Sequence, residues 1–138
     1  MRIVSDEAWA VMTIWMEARG ETYHGKLAVA EVVRNRTRRR YSSDGTVAST
    51  VLTPFQFSGW MTKDPNRIPS AKIDDADPVV ADCVKAWREA LAGSNLVRNA
   101  LLYYAPAVVV EPDWVSRCTR VATIGAHQFY VPKDMHVA

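Results

Sequence analysis

Apolar residues recur at helical spacing over several stretches of the chain, and near residue 100 the texture changes to the β-branched and aromatic character of strands. The first stretch predicts a helix over 6–19, with Ala8, Val11, Met12, Trp15 and Met16 on one face. Ser5 is placed to cap it, Asp6 and Glu7 suit the positive end of its dipole, and Gly20 is placed to end it. A second helix is predicted over 25–38, where Leu27, Ala28, Ala30, Val32 and Val33 give an apolar face broad enough for a central element. Residues 46–53 read as a short helix stopped by Pro54. Pro78 suits the first position of a further helix over 79–92, ended by Gly93. Strands are predicted within 100–104 and 120–131, separated by Pro106, Pro112 and a turn. Between the third and fourth helices lie an aromatic run, 55–60, and a long loop, 61–77, holding Pro65, Pro69 and the acids Asp74, Asp75 and Asp77. A loop of that length in a small domain is often functional.

Composition narrows the class. The chain has 138 residues, 49% of them apolar and 23% charged, which excludes disorder and predicts one soluble domain spanning 1–138. Seventeen basic side chains against 15 acidic give a net charge of +2, too mild by itself to argue for nucleic acid or membrane. The distribution is less even: Arg34, Arg36, Arg38, Arg39 and Arg40 crowd the end of the second helix. No secretory signal is legible in the opening residues and no stretch suits a membrane span, so the chain is expected to be made in the cytoplasm without stable membrane insertion. Cys83 and Cys118 lie far apart without a metal-binding motif and are expected to be buried free thiols, with a single late-forming bridge as the alternative.

Glu17 is the most unusual side chain in context. Helical spacing puts Ala10, Thr13 and Ile14 behind it, so its carboxyl sits at the end of a largely apolar row. Partial desolvation, with Glu21 four positions on, favours the protonated form that a general acid requires. The alternative is a surface carboxylate near Arg19. In the final strand, alternation puts His127 on the face of Phe129, where it is either a structural histidine or a polar group directed at a substrate. The three histidines show no metal-ligand spacing, so no metal or cofactor is expected. Trp9, Trp15 and Trp87 fall on apolar helical stripes and are expected in the core.

The run Glu17-Ala18-Arg19-Gly20-Glu21, followed by Gly25, Ala28-Val29-Ala30, Val32-Val33 and Asn35-Arg36, resembles the opening of the SleB-like cell wall hydrolases. Similarity continues through Val47, Val51, Gln56-Phe57-Ser58, Tyr103-Tyr104, Pro106, Trp114 and the stretch Ile124-Gly125-Ala126-His127-Gln128-Phe129-Tyr130, covering about 8–131. The family contains spore-cortex-lytic and phage-type peptidoglycan enzymes. The resemblance implies a small lysozyme-like α+β domain, mainly helical, with a short antiparallel sheet walling a cleft. It implies Glu17 as the acid that protonates the bond between N-acetylmuramic acid and N-acetylglucosamine, in the manner of a lytic transglycosylase. Glu21 is implied as its supporting carboxylate, and Gln56, Phe57, Ser58, Tyr103, Tyr104 and His127 as groove lining.

On this reading the partner is the peptidoglycan glycan strand, and the protein is a monomeric endolysin-type enzyme. It reaches the wall after release, with the help of a separate holin-like protein. A hydrolytic muramidase with two carboxylates is one alternative. A nucleic-acid-binding module using the five arginines is another, although no DNA- or RNA-reading motif accompanies them and nucleic acid is not the expected partner.

Overall fold

The computed structural model describes residues 4–53, 57, 74 and 76–138. Four helices, α1 (Asp6–Ala18), α2 (Tyr23–Arg39), α3 (Val47–Leu52) and α4 (Pro78–Leu91), precede three strands, β1 (Leu102–Tyr104), β2 (Cys118–Ile124) and β3 (His127–Pro132). The strands form one antiparallel sheet in the order β1-β3-β2. The fold is the expected α+β arrangement with a small antiparallel sheet. Residues 54–56, 58–73 and 75 lie outside the described residues, and with them most of the aromatic run and the predicted loop.

Local signals fix most helix starts. Ser5 accepts from the Ala8 amide, and Asp77 from Val79 with Pro78 in the first turn. Gly20 does not end α1 through a left-handed turn; Arg19 caps it in the helical region, and the Glu21 amide donates to Ala18 O at 2.9 Å. α2 begins two residues earlier than its apolar pattern suggested, because Thr22 caps it by accepting from the Gly25 amide. Gly25 is therefore inside the helix. A Cβ there would stand 2.7 Å from Cβ of Glu21, which explains the glycine by space rather than by helix ending.

The central position of α2 follows from its being buried on nearly every side. Ala30 and Val33 join α1, α3, α4 and Trp87 in a helical core, while Ala28 and Val32 pack on Val97, Ala100, Phe129 and Val131 under the sheet. Trp87 is buried as expected, whereas Trp9 and Trp15 are half-buried and border that core. Cys83 is buried and Cys118 only half-buried, and both are free.

Four polar side chains within two turns of α2 hold the chain between α4 and β1. Glu31, 0% exposed, accepts from Ser94 Oγ at 2.6 Å and from the amides of Leu96 and Val97 at 3.0 and 2.9 Å. Arg34 Nη1 donates to the carbonyls of Ala90 and Ser94, at the end of α4 and just beyond it. Asn35 Nδ2 donates to the Arg98 and Ala100 carbonyls, and Arg36 Nε to that of Leu101. The expectation of five arginines on one basic face is thereby corrected. Arg34 and Arg36 are 5% and 4% exposed and serve backbone carbonyls, leaving Arg38, Arg39 and Arg40 at the surface. A carbonyl buried beside a helix needs a donor, and an arginine supplies several from one side chain.

Removing Glu31 leaves two backbone amides and a hydroxyl without an acceptor. Glu31→Ala is expected to lower unfolding free energy by about 3 kcal/mol or more. Urea denaturation checks this, and a wild-type midpoint would sink the assignment of Glu31 as the anchor of residues 94–97.

Candidate active site

Glu17 lies in the last turn of α1, half-buried, with Ala10, Thr13 and Ile14 fully buried behind it. The Tyr103 hydroxyl on β1 donates to Glu17 Oε1 at 3.0 Å. Burial, and then the charge of Glu17, push the Tyr103 phenol well above its ordinary value, so it stays protonated and remains a donor. Arg36 is close enough to act on both groups. Burial lowers its guanidinium, while Tyr103, Tyr41 and Glu17 pull the other way. Its guanidinium carbon lies 4.7 Å from the centroid of Phe57, which gives the cation an aromatic floor.

Glu21 follows on the turn between α1 and α2. Its Oε1 accepts from the Ala126 amide at 3.3 Å and lies 3.0 Å from His127 Nδ1. That approach is short but off the line of the ring N–H, so it is an electrostatic contact rather than an aligned hydrogen bond. Burial lowers the His127 imidazolium below its ordinary value near 6.5, with the charge of Glu21 opposing. Gly125 makes the approach possible. Its φ is +57°, and a Cβ there would come within 3.1 Å of Glu21 Oε2. Backbone on both sides, at Gly25 and Gly125, thus leaves the Glu21 side chain little freedom.

The sheet joins the two glutamates. Tyr103 and Phe129 are direct cross-strand partners, and His127 lies on the same face. The Tyr103 ring meets His127 edge-on at 5.2 Å and Phe129 at 5.4 Å. Contacts therefore run from Glu21 to His127, through the Tyr103 ring, to its hydroxyl and Glu17.

Of the eight predicted site residues, the structure brings together Glu17, Glu21, Tyr103 and His127. Two others are placed elsewhere. Phe57 is 1% exposed and packs in the helical core, so its ring is not offered to a groove; it supports Arg36 instead. Tyr104 points to the opposite sheet face from Tyr103, where it packs with Trp114 and Tyr130 at 5.8 and 5.9 Å. Neighbouring strand residues alternate, so the pair cannot line one wall. Gln56 and Ser58 lie outside the described residues. Arg36 is the neighbour the sequence reading missed. Its signal was a charge placed one turn beyond Val32 and Val33 on the helix predicted to be central. Among the described residues no three His, Cys, Asp or Glu side chains converge as a metal site would require, and no helix is long and apolar enough to cross a membrane.

Residues 20–130 match the cell wall hydrolase family, an enzyme family. That stretch takes in Glu21, Tyr103 and His127 and starts just after Glu17. The chain is 30% identical over 120 residues to the spore cortex-lytic enzyme of Oceanobacillus iheyensis, covering 84% of this chain and 38% of that protein. To the spore cortex-lytic enzyme of Bacillus subtilis it is 28% identical over 120 residues, covering 84% of this chain and 34% of that protein. The chain thus spans little more than a third of these curated relatives. The catalytic domain of the germination-specific lytic transglycosylase SleB from Bacillus anthracis superimposes with a TM-score of 0.68 at 27% identity, over 91% of this chain and 93% of that one. The catalytic domain of Bacillus cereus SleB matches with the same score and identity, over 91% of this chain and 89% of that one. With the match running from the turn that carries Glu21 to the last strand, the chain belongs to the cell wall hydrolase family.

Proposed function

We propose that this chain degrades peptidoglycan as a lytic transglycosylase, cutting the β-1,4 bond between N-acetylmuramic acid and N-acetylglucosamine with Glu17 as general acid. The observation that carries the reading is the half-buried Glu17 carboxyl, held by the Tyr103 phenol at the end of a helix, in a fold shared with the SleB catalytic domain. Glu17 gives its proton to the glycosidic oxygen as the C1–O bond breaks. The 6-hydroxyl of the same muramic acid then attacks C1, and its proton returns to Glu17, so an anhydro ring forms and no water is consumed. Tyr103 fixes the carboxyl, and its neutral hydroxyl stays in place as charge develops.

A hydrolytic outcome needs a second carboxylate free to act on water or on C1. Glu21 is the near candidate, and its Oε1 is engaged by the Ala126 amide and His127. That engagement favours a positioning role for Glu21 and so the transglycosylase. Monomeric, endolysin-type action with a holin-like helper belongs to the same proposal. It is tested by gel filtration against the 15.5 kDa expected for one chain, and by lysis of cells only after the membrane barrier is breached.

Glu17→Gln preserves shape and removes the transferable proton, so turbidity clearance of purified sacculi is expected to fall at least about a hundredfold with the fold intact. Mass spectrometry of the wild-type digest is expected to give 1,6-anhydromuramic ends; reducing ends would select hydrolysis, and cut peptides with intact glycan would reject both. Tyr103→Phe is expected to keep the fold and slow turnover by about tenfold, as one lost hydrogen bond to a charged group implies. His127 also gives a pH signature. Its folded-state value lies below its unfolded one, so the unfolded chain binds the extra proton and stability falls as pH drops below about 6.5. Thermal melts between pH 7.5 and 5.5 should show this decline in wild type and a flatter profile in His127→Gln.

A further inference from the structure

The sheet face opposite Glu17 carries a separate groove of about 820 Å³, and neither carboxylate of the active site lines it. Its walls come from three parts of the chain: the end of α2 with Arg39 and Arg40, the segment leading into β2 with Trp114 and Arg117, and the turn after β3 with Lys133 and Asp134. Four cations against one acid give it a net charge of +3. All five charged residues are exposed, and among the described residues none of the four cations is engaged in an ion pair with a carboxylate. Arg40 does act at longer range on Asp44. The charges converge. Arg117, Lys133 and Asp134 all act on the thiol of Cys118 in the groove wall. Beside them the half-buried Trp114 lines the groove and packs nearly at right angles on Tyr104 and Tyr130, at 5.8 and 5.2 Å, which fixes an aromatic ring next to a cationic rim. Cations supplied by separate segments exceed what capping α2 requires, and an aromatic ring beside them suits a ligand that combines sugar rings with anionic groups.

We propose that this groove is a second binding site for the wall polymer, taking the carboxylates of its stem peptides on Arg117, Lys133, Arg39 and Arg40 while a sugar ring lies against Trp114. The proposal rests on the peptidoglycan reading above. Peptidoglycan presents free carboxylates at regular intervals along an otherwise neutral glycan, which is the charge complement of this groove. The site holds the strand on the far side of the sheet from the bond being cut, so it acts on retention and strand choice rather than on chemistry.

The test uses Glu17→Gln protein, so that the polymer is not consumed, and co-sedimentation with two preparations of sacculi, one intact and one whose stem-peptide carboxylates are converted to amides with carbodiimide and ammonia, which keeps the cross-linked polymer insoluble. The parent is expected to bind intact sacculi about tenfold more tightly than amidated ones. Replacing Arg117 and Lys133 together by Gln, both at exposed positions, is expected to abolish that difference and to flatten the salt dependence of binding. Equal binding of the parent to both preparations, or an undiminished difference in the double variant, overturns the proposal. So does tighter binding of duplex DNA than of intact sacculi at the same salt, since it would assign the cations to phosphate. Cleavage by the Glu17-intact protein is scored separately. Absence of cut glycan strands would end the catalytic reading while the sedimentation difference stood, and cutting without that difference would end only this one.

Discussion

Everything on the sheet side of the molecule depends on a set of buried charges that one helix presents to the backbone of a returning segment. Glu31 collects the amides of Leu96 and Val97, Arg34 and Asn35 collect carbonyls between Ala90 and Ala100, and Arg36 takes Leu101. These groups lie away from solvent and would each be costly if unmade. Satisfied together, they define where residues 90–101 run to within a hydrogen-bond length. Two residues after the last of those bonds comes Tyr103, which meets Glu17. The reach of the phenol to the carboxylate is therefore set by α2, although α2 supplies neither group.

The helices were legible because their information is local. Caps at Ser5 and Asp77, a proline in the first turn and apolar residues at helical spacing are contained within single stretches of chain. The strands were legible in kind, and the sheet order became so only through three-dimensional pairing, since β1 lies beside β3 rather than β2. Glu17, Glu21, Tyr103 and His127 came into view through motif resemblance, with helical spacing supporting Glu17. The departures have separate physical causes. Arg34 and Arg36 look like solvent charges in sequence because their partners are carbonyls more than fifty positions away, and a backbone carbonyl has no sequence signature. Phe57 followed from its setting beside polar residues, yet its ring lies beneath Arg36. For Tyr104 the period of two was available and pointed correctly; grouping adjacent tyrosines by motif set it aside.

Two glutamates four positions apart therefore meet different surroundings. Glu17 faces a phenol that stays neutral, beside a buried guanidinium, at the end of an apolar row. Glu21 is enclosed by backbone at Gly25 and Gly125 and lies beside an imidazole whose charged form is disfavoured. The different roles proposed for the two carboxylates rest on this contrast, and not on any difference in the side chains themselves.

The contact between Glu21 and the Ala126 amide spans 105 positions, and that between Tyr103 and Glu17 spans 86. Closing such distances is entropically late, because loops of that size become worthwhile only once most of the intervening chain is already in place. The two contacts that hold Glu17 and Glu21 therefore join the first helices to the end of the chain. The surroundings of both carboxylates are thus completed late, after the helices and the sheet have met.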